Sequence, residues 1–398
     1  MAKTVIEIPY VVELPVGPQH PALHEPLLIK AYADGEEIVK VEINTGYNHR
    51  GIEKLMEKNN FYRGIFIAGR VCGICNSVHA NCYVRALEYI LGVEPSRRAK
   101  YLRVLAMELE RIHSHMLINA VMAEILGFTS LFMNIMLDRE KVMKAKEILT
   151  GNRVLADYMM IGGVRRDIDG VKRDKLLNLL NRIEVDVKRY KKIFEEDDTL
   201  LKRMVEIGLL SRTDSTKYSF VGPVARGSGV RIDSRASDKY DAYDEIPFNV
   251  ITRKEGDSWA RMMVRWDETL EAISISKYAL EHLPSDANPV PDERRLPRAF
   301  PEGSSYARVE AQRGELTYFV ESRGGANPYR VKIRTPSFLN IIHSSILYIG
   351  YTIADLPVIL TSLDPCVSCM ERVTIIDLDN GVSRKIPFKE LANWRRGD

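Results

Sequence analysis

At 398 residues, 45% of them hydrophobic and 28% charged, the chain has the apolar material for a large buried core and the length for two or three domains. Its net charge of +3, with Lys and Arg interspersed among Asp and Glu, excludes the basic block expected of a nucleic-acid binder, so no nucleic-acid partner is expected. Five cysteines in so long a chain are not a disulfide scaffold, and paired spacing among them points to metal or redox chemistry.

Residues 1–50 read as an N-terminal β region. Met1-Ala-Lys-Thr-Val lacks the apolar run of a secretory leader. Thr4 to Leu14 and Leu27 to Ile43 are rich in Val, Ile and Glu, Asp34-Gly35 marks a hairpin turn, and Gly17-Pro18-Gln19-His20-Pro21 is a stiff loop. Residues 51–210 read as a helical bundle, with long segments over Cys75–Leu91, Ser96–Leu126, Arg139–Met159 and Arg173–Gly208, broken at Gly92, Gly127 and Gly162-Gly163. Acidic and basic residues between 165 and 205 suit a solvated helix face. Residues 211–255 are polar and glycine-containing; Tyr218, Phe220, Tyr240, Tyr243 and Phe248 would anchor them as an ordered irregular insertion.

Residues 256–372 begin with a helix from Asp257 to Leu283, pass through a proline-rich connection (Pro289–Pro301), and form a hairpin of Leu316–Val320 with Tyr329–Ile333 across Arg323–Asn327. Leu339 to Leu363 is the most lipid-like stretch, but His343, Asp355 and Pro357 make it buried core, so no transmembrane segment is expected. Residues 373–398 form a C-terminal extension. The fold class is α+β, mainly α: a central helical bundle with an N-terminal β region and a C-terminal β hairpin.

Two Cys-x-x-Cys pairs, Cys72-Gly-Ile-Cys75 and Cys366-Val-Ser-Cys369, stand near opposite ends of the chain. Each offers two sulfurs to one ion, and together they supply four ligands. Structural zinc, redox-active dithiols, an iron-sulfur cluster and a catalytic soft-metal centre all satisfy that chemistry, although zinc ribbons keep their pairs much closer in sequence and redox dithiols want a βαβ setting. Cys72-Gly-Ile-Cys75 stands where a helix begins, so helix N–H groups would favour thiolates, and Gly73 would allow close approach to a metal. Asp364-Pro365 predicts an extended, rigid approach to the second pair. Cys82 has no partner and suits helix packing, and His113 and His115, two apart on a helix, do not share a face.

Arg50-Gly-Ile-Glu53, Arg70-Val-Cys-Gly-Ile-Cys75-Asn-Ser-Val-His79, Arg334-Thr-Pro-Ser-Phe338 and Asp364-Pro-Cys-Val-Ser-Cys369 resemble the large catalytic subunit of nickel-iron hydrogenases. Gly17-Pro-Gln-His20-Pro, Asn48-His49-Arg-Gly and Arg313-Gly-Glu-Leu are shared with the quinone-site, 49 kDa-type subunit of respiratory complex I. The combination spans nearly the whole chain and resembles the group 4, membrane-bound, energy-converting hydrogenases; the complex I subunit has lost the two cysteine pairs, which this chain keeps.

The resemblance implies that Cys72, Cys75, Cys366 and Cys369 hold an Ni-Fe(CN)2(CO) centre, with Cys75 and Cys369 bridging nickel and iron. It places Arg334 over the iron's cyanide ligands, with Thr335-Pro336-Ser337 completing a polar wall. His79 falls between the centre and the nearest iron-sulfur cluster of a small partner subunit, and Glu25 passes protons to a cysteine near nickel. His20 would belong to that route or be a relic of a quinone pocket, and Glu53 is either a structural carboxylate or part of a proton network. The implied activity is reversible reduction of protons to dihydrogen in a ferredoxin-linked, ion-translocating complex. The chain would lie peripherally on the cytoplasmic face of the membrane, docked on complex-I-like membrane subunits. Precursors of this type lose a tail, here by cleavage after Arg372; Met370 departs from the hydroxyl residue frequent in group 4. Competing readings are a complex-I-related sulfur or quinone reductase subunit without a complete nickel-iron centre, and a zinc-stabilised scaffold subunit.

Overall fold

The computed structural model describes residues 11–20, 23, 25–285, 288–292, 294 and 296–370, with the backbone of 375–376 and 383–384. Strands β1 (Val11–Val16), β2 (Leu28–Asp34) and β3 (Glu37–Asn44) make an antiparallel meander in the order β1-β2-β3. Period-two alternation carries it: Ile29, Ala31 and Ala33 of β2 are buried, while Asp34 is exposed at the predicted turn, where Gly35 takes φ 61°.

Helices α1 (Ile52–Lys58), α2 (Phe61–Ala68), α3 (Asn76–Leu91), α4 (Arg97–Ile125) and α5 (Thr129–Thr150) follow, then short strands β4 (Met159–Met160) and β5 (Gly163–Val164), α6 (Gly170–Glu196) and α7 (Asp198–Met204). Their ends are chemical. The Asn60, Ser96 and Asp169 side chains accept backbone N–H groups at helix starts, and Gly92 and Gly151 close α3 and α5 in the left-handed conformation. Two helices depart from the sequence pattern. The helix expected over Arg139–Met159 instead starts at Thr129 and stops at Gly151, and the one expected over Arg173–Gly208 divides at Asp197, whose carboxylate caps α7 through Thr199 and Leu200. Buried α4 lies at the centre, packed against α5 and against the helix over Ser258–Glu281.

Residues 211–255 hold α8 (Arg212–Lys217), α9 (Gly222–Arg226) and α10 (Ser234–Asp238); Phe220, Tyr240 and Tyr243 are buried as anchors, and Tyr218 and Phe248 pack partly buried beside them. After α11 (Ser258–Glu281), strands β6 (Phe300–Ala311), β7 (Gly314–Gly325) and β8 (Arg330–Arg334) form a sheet in the order β6-β7-β8. The predicted hairpin is β7–β8. Strand β6 escapes the pattern because Pro301, Glu302 and Gly303, residues depleted in strands, follow its first residue. At the β6–β7 turn a Cβ on Gly222 would come within 2.2 Å of the Arg313 carbonyl, so glycine there permits the contact that seats Arg313.

The lipid-like stretch holds α12 (Pro336–Ile342) and α13 (Leu356–Leu363), both largely buried; no helix among the described residues is long and apolar enough to cross a membrane. Two apolar clusters cut across the sequence segments: one joins α1–α6, α11 and the β6–β8 sheet, and the other joins β2 and β3 to α9, α12 and α13.

Charge is buried between these layers. Arg226 donates to Glu268 and Glu310, each at 2.6 Å, and to the Ile232 carbonyl at 2.8 Å, while Arg235 and Arg111 enclose Glu108. A buried carboxylate stripped of its partner costs far more than a surface ion pair returns. Arg226→Ala leaves two such carboxylates and is expected to lower unfolding free energy by about 3–5 kcal/mol. Urea unfolding checks this; a loss near that of a surface substitution would show the network to be dispensable.

Candidate metal centre

The first cysteine pair lies between α2 and α3, with Cys75 at the N-cap of α3. The second follows α13. There the chain reverses at Asp364, φ 56° and ψ 59°, so the extended approach expected from Asp364-Pro365 is not what forms. Proline disfavours right-handed α geometry at the preceding residue, and an aspartate tolerates the left-handed alternative. Arg313 holds that turn, donating to the Asp364 carboxylate at 2.7 Å and to its carbonyl at 3.0 Å.

All four sulfurs lie within 4.8 Å of one another, and each cysteine is at most 4% exposed. Cys72 and Cys366 are 3.3 Å apart, Cys75 and Cys369 3.8 Å, and Cys366 and Cys369 3.0 Å. These separations are too long for disulfides, and all four thiols are free. Hydrogen bonds from Cys366, Cys369 and Cys75, with the Arg313 charge, hold the Cys72 thiol well below its ordinary pKa. Cys75 and Cys369 are pushed up, first by their hydrogen bonds with Cys366 and also by burial. Four soft donors converging on one dry point fit a thiophilic metal, which displaces the thiol protons on binding.

Polar groups staple both loops. Arg50 donates to the carbonyls of Arg70 (3.0 Å) and Val71 (2.6 Å) ahead of Cys72, and to that of Ser368 (2.8 Å) ahead of Cys369, so one guanidinium ties the pairs together. Thr335 donates to the Cys369 carbonyl at 3.1 Å, and the Ser337 hydroxyl accepts from the Cys366 N–H at 3.2 Å. Glu25 reaches in from the β1–β2 connection. Its carboxylate accepts from the N–H groups of Val367 and Ser368 and from the Ser368 hydroxyl, at the edge of a cavity of about 40 Å³ that Leu23, Ile118 and Val121 help to line.

His79 lies one turn along from Cys75, its N–H donating to the Cys75 carbonyl at 3.1 Å, with Nε2 3.7 Å from the Cys369 sulfur and Nδ1 2.8 Å from the Tyr318 hydroxyl. Burial pulls its pKa down to about 4, so it is neutral near pH 7. The Arg334 guanidinium bonds Glu315 and Thr317 of β7, and the buried cation whose charge acts on the sulfurs is Arg313. Glu53 accepts from Arg330 and from the Ile333 N–H, pinning β8 to α1. Cys82 is buried against the carbonyls of Ala307 and Leu316; His113 and His115 turn to Ile74 and Glu268, and His20 is exposed. Gly73 is exposed, and a Cβ there would meet no atom of this chain, so close packing does not require it. The backbone N–H support expected for this pair reaches Cys72, whose sulfur accepts from the Ile74 N–H at 3.2 Å, while Glu110 takes the N–H groups of Ser77 and Val78 beside Cys75. Arg372 lies outside the described residues.

Sequence reasoning assigned no role to Arg50, Arg313, Tyr318 or Glu110. Arg50 and Arg313 stand inside quoted motifs, which was a usable signal; Tyr318 and Glu110 carry none, since one sits in an ordinary strand and the other in a buried helix.

The nickel-dependent hydrogenase family matches residues 50–120, and the family of the 49 kDa subunit of respiratory-chain NADH dehydrogenase matches residues 126–298 and 295–372. The chain is 40% identical to the carbon monoxide-induced hydrogenase of Rhodospirillum rubrum, over 90% of this chain and 99% of that one. It is 35% identical to the membrane-bound hydrogenase subunit alpha of Pyrococcus furiosus, over 93% and 90% of the two chains. A chain in the structure of the membrane-bound sulfane sulfur reductase, an archaeal respiratory membrane complex, superposes with a TM-score of 0.86 at 34% identity, covering 91% of this chain and 98% of that chain.

Proposed function

The chain belongs to the family that joins nickel-dependent hydrogenases to the 49 kDa subunit of respiratory NADH dehydrogenase, and from that premise we propose that it is the catalytic subunit of an energy-converting, membrane-bound nickel-iron hydrogenase. The observation that carries the reading is the cluster of four buried cysteine sulfurs in a chain so similar to hydrogenase subunits. Cys72, Cys75, Cys366 and Cys369 would hold nickel and iron, with cyanide and carbon monoxide on the iron. When bound, such a centre supplies the two-electron chemistry that interconverts protons and dihydrogen.

This chain's residues do the rest. The apolar walls of the bundle keep bulk water from the sulfurs. Glu25, beside a cavity with room for about three waters, moves protons between solvent and the second cysteine loop. Neutral His79 sets the electrostatics around Cys369 on the side facing an iron-sulfur small subunit, and a ferredoxin-like donor feeds that subunit. Arg334, which carries the Glu315 ion pair in this structure, would donate to the iron's cyanide ligands. The complex docks on complex-I-like membrane subunits at the cytoplasmic face, and the tail is removed after Arg372.

A second reading has its own support. Likeness to the sulfane sulfur reductase structure favours a sulfur-reducing subunit, which on this reading would lack a complete nickel-iron centre. Anaerobically purified complex separates the two: the hydrogenase reading expects one nickel and one iron in this chain, infrared bands of bound carbon monoxide and cyanide, hydrogen evolution from a low-potential donor, and an intact mass ending at Arg372. Nickel-free complex that reduces polysulfide would replace the first reading with the second.

A further inference from the structure

The N-terminus of a helix presents open N–H groups and a positive dipole end, and a sulfur at the N-cap is their natural acceptor. Cys75 occupies the N-cap of α3 yet makes no capping hydrogen bond. Glu110, from the buried middle of α4, takes that place. Both of its oxygens accept from the Ser77 N–H at 2.9 Å, and Oε2 also accepts from the Val78 N–H at 3.1 Å. Glu110 is fully buried, and Lys146 of α5, 1% exposed, brings Nζ to 3.7 Å.

One turn along α4, His113 grips the other side of Cys75. Its Nε2 is 3.0 Å from the Ile74 carbonyl, and Arg139 Nη2 lies 2.7 Å from its Nδ1. Arginine only donates, so Nδ1 is the acceptor and Nε2 carries the proton toward Ile74. Backbone on both sides of Cys75 is thus held by two α4 side chains three residues apart, each braced by a cation from α5.

We propose that Glu110 is a positioning residue for the metal centre: by occupying the Ser77 and Val78 N–H groups in the first turn of α3 it fixes Cys75 against the bundle and shields its sulfur from the positive end of the helix. A sulfur freed of that positive field donates more strongly to a bound metal. The inference rests on the metal-binding reading above, but not on which metal is held.

The test uses the anaerobically purified complex and compares Glu110→Ala and Glu110→Gln with wild type. Metal retention against a chelator, unfolding midpoint and, for a nickel-iron centre, the infrared bands of its diatomic ligands are measured. Glu110→Ala is expected to weaken metal retention about 10–100-fold. Glu110→Gln keeps an acceptor without the charge; it should retain fold and more metal than Glu110→Ala, with the carbon monoxide band moved to higher wavenumber. Wild-type retention in both variants, with unshifted bands in Glu110→Gln, overturns the proposal. If Glu110→Ala fails to fold, Glu110→Gln decides through its bands, or through chelator retention where the metal lacks diatomic ligands. Wild-type complex without nickel refutes the hydrogenase reading instead, and the retention ratio still decides the role of Glu110.

Discussion

On the hydrogenase reading, Cys369→Ser is expected to fold, to lose the metal held by the four-cysteine cluster and to evolve no detectable hydrogen. The cysteine is buried, with its sulfur 3.0 Å from Cys366, 3.8 Å from Cys75 and 3.7 Å from His79 Nε2. Serine fills nearly the same volume, so the loop held by Arg50, Thr335 and Glu25 keeps its staples. A hydroxyl is a hard donor that stays protonated near neutral pH, and a soft metal gains little from it. The loss should therefore exceed the roughly 100-fold that outer-shell changes cost in metal affinity. Metal content, hydrogen evolution and unfolding midpoint are measured together. A Cys369→Ser variant that assembles normally and still evolves hydrogen at the wild-type rate would leave only a scaffold role for the four-cysteine cluster.

Glu25→Gln is the second large effect. As a proton relay, Glu25 should be worth about 10²–10⁴-fold in turnover, so the glutamine variant keeps its metal and loses most hydrogen evolution. The structure sets a demanding comparison, because the same carboxylate caps the Cys366–Cys369 loop through Val367 and Ser368. Glutamine retains a carbonyl oxygen for those N–H groups but cannot carry an exchangeable acidic proton. Loss of turnover with unchanged metal content and infrared bands therefore reads as proton transfer. Loss of metal with turnover per bound nickel unchanged would make Glu25 a loop staple and nothing more.

Much of the architecture was legible because it rests on local rules. Gly35 marks the first hairpin, and Ser96, Asp257, Gly92 and Gly127 bound helices close to where the pattern puts them. The failures share a cause. Apolar residues on the exposed face of α5, Met133 at 62% and Leu137 at 69% exposure, blur its stripe, so its start was missed, and β6 was masked by the Pro301-Glu-Gly-Ser that follows Phe300. In the site, His79 followed from helical spacing. The pairing of Arg334 with Glu315 was not legible, because that carboxylate lies on a neighbouring strand far away in sequence.

What the sequence determined by itself is the donor set: Cys-x-x-Cys spacing constrains two sulfurs at a time, whatever the rest of the chain does. Only the tertiary structure decided that Cys72 and Cys366, 294 residues apart, come within 3.3 Å, and that Arg50 ties their two loops. It also decided that the N–H groups expected to support Cys75 belong to Glu110. Such assignments depend on which buried charges meet when layers pack, and a buried charge has no period in sequence because its partner comes from another element.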